Sequence, residues 1–143
     1  MATERRAETT WRGDLFEGEG TIERVGSGAF GPLDVTWASR AEEPSGRTSP
    51  EELIAAAHAS CFSMALSNGL AQAGTPPEQL DVSATVTFVP GTGITKSALE
   101  VTGRVPGIDE DAFRQAAETA KDGCPVSGAL KGNVELELNA RLV

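Results

Sequence analysis

The sequence predicts an α+β fold with the element order strands, long helix, strands, helix, strand. Three observations carry this. Alternating apolar and polar residues mark short strands in the first forty residues, again over 80–105, and again over 133–143. A single long helical segment, apolar on most faces, begins at Ser49. The elements are grouped rather than strictly alternating, which argues against a doubly wound parallel sheet. A chain of 143 residues has the length of one domain, 1–143, and shows no internal repeat, low-complexity run or linker.

Each element follows from local chemistry. Thr9 to Leu15 and Gly20 to Val25 read as strands joined by a Gly-containing hairpin loop at Phe16-Glu17-Gly18-Glu19. Leu33, Val35 and Trp37 alternate with Asp34, Thr36 and Ala38, so a half-buried strand is expected to deliver Arg40 near its end. Pro44 and Gly46 mark a loop over 42–48. Ser49 as N-cap, Pro50 at the first helical position and Glu52 at the third start a helix that Gly74, Pro76 and Pro77 end. Its middle, Ala55 to Leu66, is interrupted only by His58, Ser60 and Ser63, which suits the middle of a fold or the space between two subunits. Leu80, Val82, Ala84, Val86 and Phe88 alternate as a strand, and Ile94 to Val105 forms the next, with Leu99, Val101 and Val105 on one face. Asp109 caps a helix through about Asp122, with Gly123 as its C′ stop. Cys124-Pro125 opens a short helical turn, and Asn133 to Val143 closes the chain as a strand with Val134, Leu136, Leu138, Ala140 and Leu142 facing in.

Composition excludes several functions. The 21 Asp and Glu against 12 Lys and Arg leave a formal net charge of −9, which disfavours nucleic acid and anionic membrane surfaces as partners. Two cysteines and one histidine cannot supply the four ligands of a structural zinc site or of a cysteine-ligated iron–sulfur cluster. The first fourteen residues carry no apolar h-region and no uninterrupted apolar stretch approaches about 18 residues, so a cytoplasmic setting with reduced thiols is expected.

The candidate chemistry rests on few residues. Cys61, in the most apolar part of the long helix, is either a small buried hydrophobe or a nucleophile. The second role needs a cation to hold its thiolate, and the fold would have to bring one in. Cys124 stands near the N-cap of a short helix, where free N–H groups favour a thiolate, or is a chance loop cysteine. Their separation of 63 residues is no motif. His58 is a general base or a core histidine; Glu52 has a capping role, and Glu51 a weaker interaction with the helix dipole.

The run Ser49-Pro50-Glu51-Glu52-Leu53-Ile54-Ala55-Ala56-Ala57-His58-Ala59-Ser60-Cys61-Phe62-Ser63-Met64-Ala65-Leu66 closely resembles the OsmC/Ohr family of thiol-dependent peroxidases, and Lys121-Asp122-Gly123-Cys124-Pro125-Val126-Ser127 resembles the stretch around that family's second cysteine. Trp11-Arg12-Gly13-Asp14, Val105-Pro106-Gly107-Ile108-Asp109 and the element order match too, and the details favour the OsmC branch. The resemblance implies antiparallel sheets around a long central buried helix, an intertwined homodimer and active sites at the subunit interface. It implies Cys61 as peroxidatic and Cys124 as resolving cysteine, with Glu51 and an arginine activating the first. That arginine maps to Arg40, with Arg47 and Arg12 as fallbacks.

Implied substrates are organic hydroperoxides, and hydrogen peroxide is a rival preference. The implied reductant is an external dithiol, with dihydrolipoyl groups as candidates. No metal, haem or flavin is required. Ten residues of helix rise about 15 Å, so Glu51 reaches Cys61 only through a broken helix or from the partner subunit, and the second is the expectation. The competing class is a non-enzymatic binding or redox-sensing protein on the same fold; a hydrolase using His58 lacks a nucleophile elbow.

Overall fold

Gly13 and Asp14 decide where the first hairpin turns. In the computed structural model, which describes all 143 residues, Gly13 takes φ +89°. The Asp14 carboxylate accepts the Glu17 N–H at 2.7 Å, and the Asp14 carbonyl accepts the Gly18 N–H at 3.0 Å. β1 (Ala7–Arg12) therefore stops at Arg12 rather than Leu15. It pairs antiparallel with β2 (Glu19–Val25), which pairs antiparallel with β3 (Leu33–Val35). Trp11 lies opposite Gly20, where a Cβ would stand 2.6 Å from the indole and 2.9 Å from Val35, so only glycine admits both.

Trp37 does not continue β3. The Thr36 hydroxyl accepts the Ser39 N–H at 3.0 Å while the Ser39 hydroxyl accepts the Thr36 N–H at 2.9 Å. This reciprocal capping overrides the alternating pattern and starts α1 (Trp37–Ala41). Arg40 consequently sits in the last turn of a short helix, not at the end of a strand. These elements belong to one of two compact units, Met1–Pro50; the other is Glu51–Val143.

α2 (Pro50–Gln72) runs unbroken for 23 residues. Its end is a Schellman motif: Gly74 takes φ +89°, the Thr75 N–H donates to the Leu70 carbonyl at 2.9 Å, and the Gly74 N–H donates to Ala71 at 3.0 Å. His58, Phe62, Leu66 and Leu70 recur every four residues as its buried stripe. The helix is apolar all round yet buried on that one side. Ala56 and Ala57 are exposed and Met64 is 72% exposed within one chain. Length and composition alone would let α2 cross a membrane; here Phe62, Leu66 and Leu70 belong to a core shared with strands.

The strands of that core are β4 (Gln79–Val89), β5 (Gly93–Arg104) and β6 (Glu135–Leu142), in the order β4-β5-β6. Leu80, Val82 and Ala84 on β4, Leu99 and Val101 on β5, and Leu138, Ala140 and Leu142 on β6 contribute to one apolar face, as the period of two predicts. β4 and β5 are antiparallel, but β5 and β6 are parallel, which corrects the expectation of purely antiparallel sheets. The cause is the connection: α3 (Glu110–Gly123) and α4 (Pro125–Leu130) carry the chain back across the sheet, as a parallel pair requires.

The Asp109 side chain caps α3, accepting the Ala112 N–H at 2.8 Å. Gly123 remains helical, and α3 stops because Pro125 forces Cys124 into an extended conformation, φ −67°, ψ 128°. Phe113 on α3 is fully buried directly over Gly103 on β5, where an added Cβ would lie 2.5 Å from the ring. Gly103→Ala is therefore expected to destabilise the protein by about 1–3 kcal/mol, read as a lower urea midpoint at unchanged slope.

Candidate active site

Cys61 and Cys124 come from opposite ends of the second unit and meet. Cys61 projects from the middle of α2, half-buried; Cys124 is the N-cap of α4 and 1% exposed. Both are free thiols, and Cys61 packs against the core cluster that includes Cys124. Burial, and then the neighbouring Cys124, push the Cys61 thiol above its ordinary pKa, opposed by the Val126 backbone. Burial also works against the Cys124 thiolate. The neighbouring Cys61, Ser127 and Val126 groups outweigh it, so the Cys124 pKa is lowered. The groups that act on Cys61 include no cation.

His58, one turn of α2 before Cys61, is fully buried. Its Nδ1 lies 2.7 Å from the Ser97 hydroxyl on β5 and its Nε2 lies 2.8 Å from the Ser127 hydroxyl on α4. Burial lowers its pKa, so the imidazole is neutral at pH 7. The core-histidine reading is the one the geometry supports, with both ring nitrogens satisfied.

The remaining expected residues are divided between the two units. Glu51 is buried in the first turn of α2. Because α2 is continuous, a broken helix does not bring Glu51 to Cys61 of the same chain; about 15 Å of helix separates them. Arg40 is half-buried on α1, Arg12 exposed at the end of β1, and Arg47 exposed in the loop before α2; all three lie in the first unit. Sequence reasoning missed Ser97 and Ser127. Ser97 carries a detectable signal: a polar residue with the same parity as Leu99 and Val101 occupies a core position. Ser127 stands three residues after Cys124, where the side chain of a short helix turns back toward its N-cap.

Residues 43–139 match the family model of OsmC-like proteins. The chain belongs to the OsmC family. It is 41% identical over 140 residues to the peroxiredoxin OsmC of Escherichia coli, covering 96% of each chain. It is 33% identical over 100 residues to the organic hydroperoxide resistance protein-like 1 of Staphylococcus epidermidis, covering 67% of this chain and 71% of that one. Among solved structures, the organic hydroperoxide resistance protein OhrB of Bacillus subtilis superposes with a TM-score of 0.73 at 24% identity, covering 95% of this chain and 98% of that one. That last likeness is one of fold, and it carries the α+β arrangement of two small sheets and a long helix.

The buried histidine of this OsmC-family chain has a consequence for stability. Its native pKa lies below the unfolded value of about 6.5, so on acidification the unfolded chain binds a proton that the native chain does not. The contribution is present above pH 6.5 and is lost as pH falls toward the folded pKa. Unfolding free energy should drop by on the order of 1 kcal/mol per pH unit below pH 6.5, beyond the slope of a His58→Gln variant. Urea melts at pH 7.5 and 5.5 compare the two; equal slopes would contradict it.

Proposed function

We propose that this chain is a thiol-dependent peroxidase that reduces organic hydroperoxides through a Cys61 sulfenic acid and a Cys61–Cys124 disulfide, working as a homodimer. The observation that carries the reading is the meeting of two free thiols in a site with N–H donors. The relatives named for peroxiredoxin activity and organic hydroperoxide resistance support the substrate class.

The chemistry closes with two thiols. The Cys61 thiolate attacks one peroxide oxygen, the O–O bond breaks, and the departing alkoxide takes up a proton and leaves as an alcohol. Cys61 becomes a sulfenic acid. The Cys124 thiolate attacks that sulfur, an S–S bond forms, and hydroxide leaves and is protonated to water. An external dithiol, of the lipoyl type, then reduces the disulfide by exchange and is itself oxidised. The first step needs a cation at Cys61, since burial and Cys124 both hold the proton on it. We assign that cation to Arg40, with Glu51 orienting its guanidinium through a paired, planar contact that lysine could not reproduce.

Two features support the homodimer. Glu51 stands a helix length away from its own Cys61, so a second chain would have to supply the carboxylate. The open side of α2 exposes Met64 among small residues, a face of the kind that pairs in C2 dimers. The setting that suits this chemistry is the cytoplasm, where thiols return to the reduced state.

Three measurements test this. Thiol titration before and after stoichiometric cumene hydroperoxide should lose two thiols per chain. Cys61→Ser should abolish dithiol-driven turnover, and Cys124→Ser should permit one oxidation and then stall; unchanged multiple turnover in both refutes the scheme. Mixing inactive Cys61→Ser and Glu51→Ala dimers under exchange should restore about a quarter of wild-type turnover, because half the dimers are mixed and each has one complete site. No recovery places Glu51 in its own chain's site.

A further inference from the structure

The disulfide chemistry above makes no use of His58, yet both ring nitrogens of this histidine are engaged. It is fully buried, and both nitrogens meet serine hydroxyls, Ser97 at 2.7 Å and Ser127 at 2.8 Å. Ser97 and Ser127 are themselves buried, 0% and 1% exposed, and Ser127 lies three residues beyond Cys124 at the start of α4.

A neutral imidazole has one N–H and each hydroxyl has one proton, so the chain of bonds can be wired in two directions. In one, the Ser127 hydroxyl donates to Nε2 and Nδ1–H donates to Ser97. The Ser97 proton is then left without an acceptor in the core, because the Ser97 hydroxyl has His58 as its one side-chain partner. In the other, Ser97 donates to Nδ1, Nε2–H donates to the Ser127 oxygen, and the Ser127 proton is free to point at the Cys124 sulfur. Ser127 stands at the third position of the helix that Cys124 caps, so this wiring leaves no donor buried without an acceptor if the sulfur takes that proton, and such a bond is charge-assisted when the sulfur is a thiolate.

We propose that His58 is a positioning residue of the resolving step: as the Nε2–H tautomer held by Ser97, it aims the Ser127 hydroxyl proton at Cys124. The inference rests on the peroxidase reading. When Cys61 carries a sulfenic acid, the Cys124 thiolate so held attacks Cys61, the S–O bond of Cys61 breaks, the S–S bond forms, and hydroxide leaves and is protonated to water. The hydrogen bond from Ser127 keeps Cys124 deprotonated for that attack. Consistent with this, the Ser127 hydroxyl is among the groups that lower the Cys124 pKa against burial.

The chain has one histidine, so nitrogen NMR of the 15N-histidine-labelled, reduced protein reads a single imidazole. A single Nε2–H tautomer at neutral pH is expected in the wild type, and a mixed or reversed tautomer in Ser97→Ala. After one equivalent of cumene hydroperoxide, disulfide formation should slow about tenfold in Ser127→Ala, the worth of one hydrogen bond to a charged group, and the sulfenic acid should become trappable by a dimedone-type reagent. Ser97→Ala, further from the sulfurs, should slow the same step by a smaller factor. An Nδ1–H tautomer in the wild type overturns the proposal whether or not the variants fold. So does a folded Ser127→Ala protein that closes its disulfide at the wild-type rate. A wild-type protein that forms no sulfenic acid sinks the peroxidase reading itself, which is a separate result.

Discussion

The tie between α2 and its surroundings through His58 is the constraint on which the site depends. Two hydrogen bonds from one buried imidazole connect α2 to β5 through Ser97 and to α4 through Ser127. Cys61 is one turn further along α2, and Cys124 is the N-cap of the short helix that carries Ser127. Fixing the phase of α2 against α4 fixes the two sulfurs against each other. A four-residue apolar repeat, Phe62, Leu66 and Leu70, continues the same stripe into the core, so packing and polar registration act along one line.

That arrangement leaves an imbalance in the chemistry of a single chain. Burial pushes the Cys61 thiol up, so in the mechanism proposed above this cysteine needs a charge delivered to it before it attacks a peroxide. The assignment of Arg40 and Glu51 answers that need, and the uninterrupted α2 makes a second chain the natural source of the carboxylate. The peroxidase and the dimer are in this sense one claim.

Much of this was legible in the sequence where the cause is local. The Gly74 stop, the Asp109 cap and the alternation of β4 and β6 are each set by a few neighbouring residues, and all appear where expected. The start of α1 was missed because alternation at Leu33, Val35 and Trp37 competes with the Thr36–Ser39 capping pair, and the pair wins. The end of α3 was placed correctly for the wrong reason: Pro125, not Gly123, stops it. The parallel pairing of β6 is set by a crossover of about thirty residues, which no local pattern encodes. At the site, the two cysteines were identified through resemblance, since a separation of 63 positions hides their meeting. Ser97 was available from the parity of β5 alone, as a hydroxyl in a row of buried aliphatic residues.

The most direct test of the central claim is a non-reducing peptide map, by mass spectrometry, of protein treated with one equivalent of an organic hydroperoxide. The account predicts one new cross-link, joining the Cys61 and Cys124 peptides of the same chain, with loss of two hydrogens and no added oxygen. Oxidation confined to Cys61 as a sulfinic or sulfonic acid, or a cross-link joining two Cys61 peptides, would contradict it.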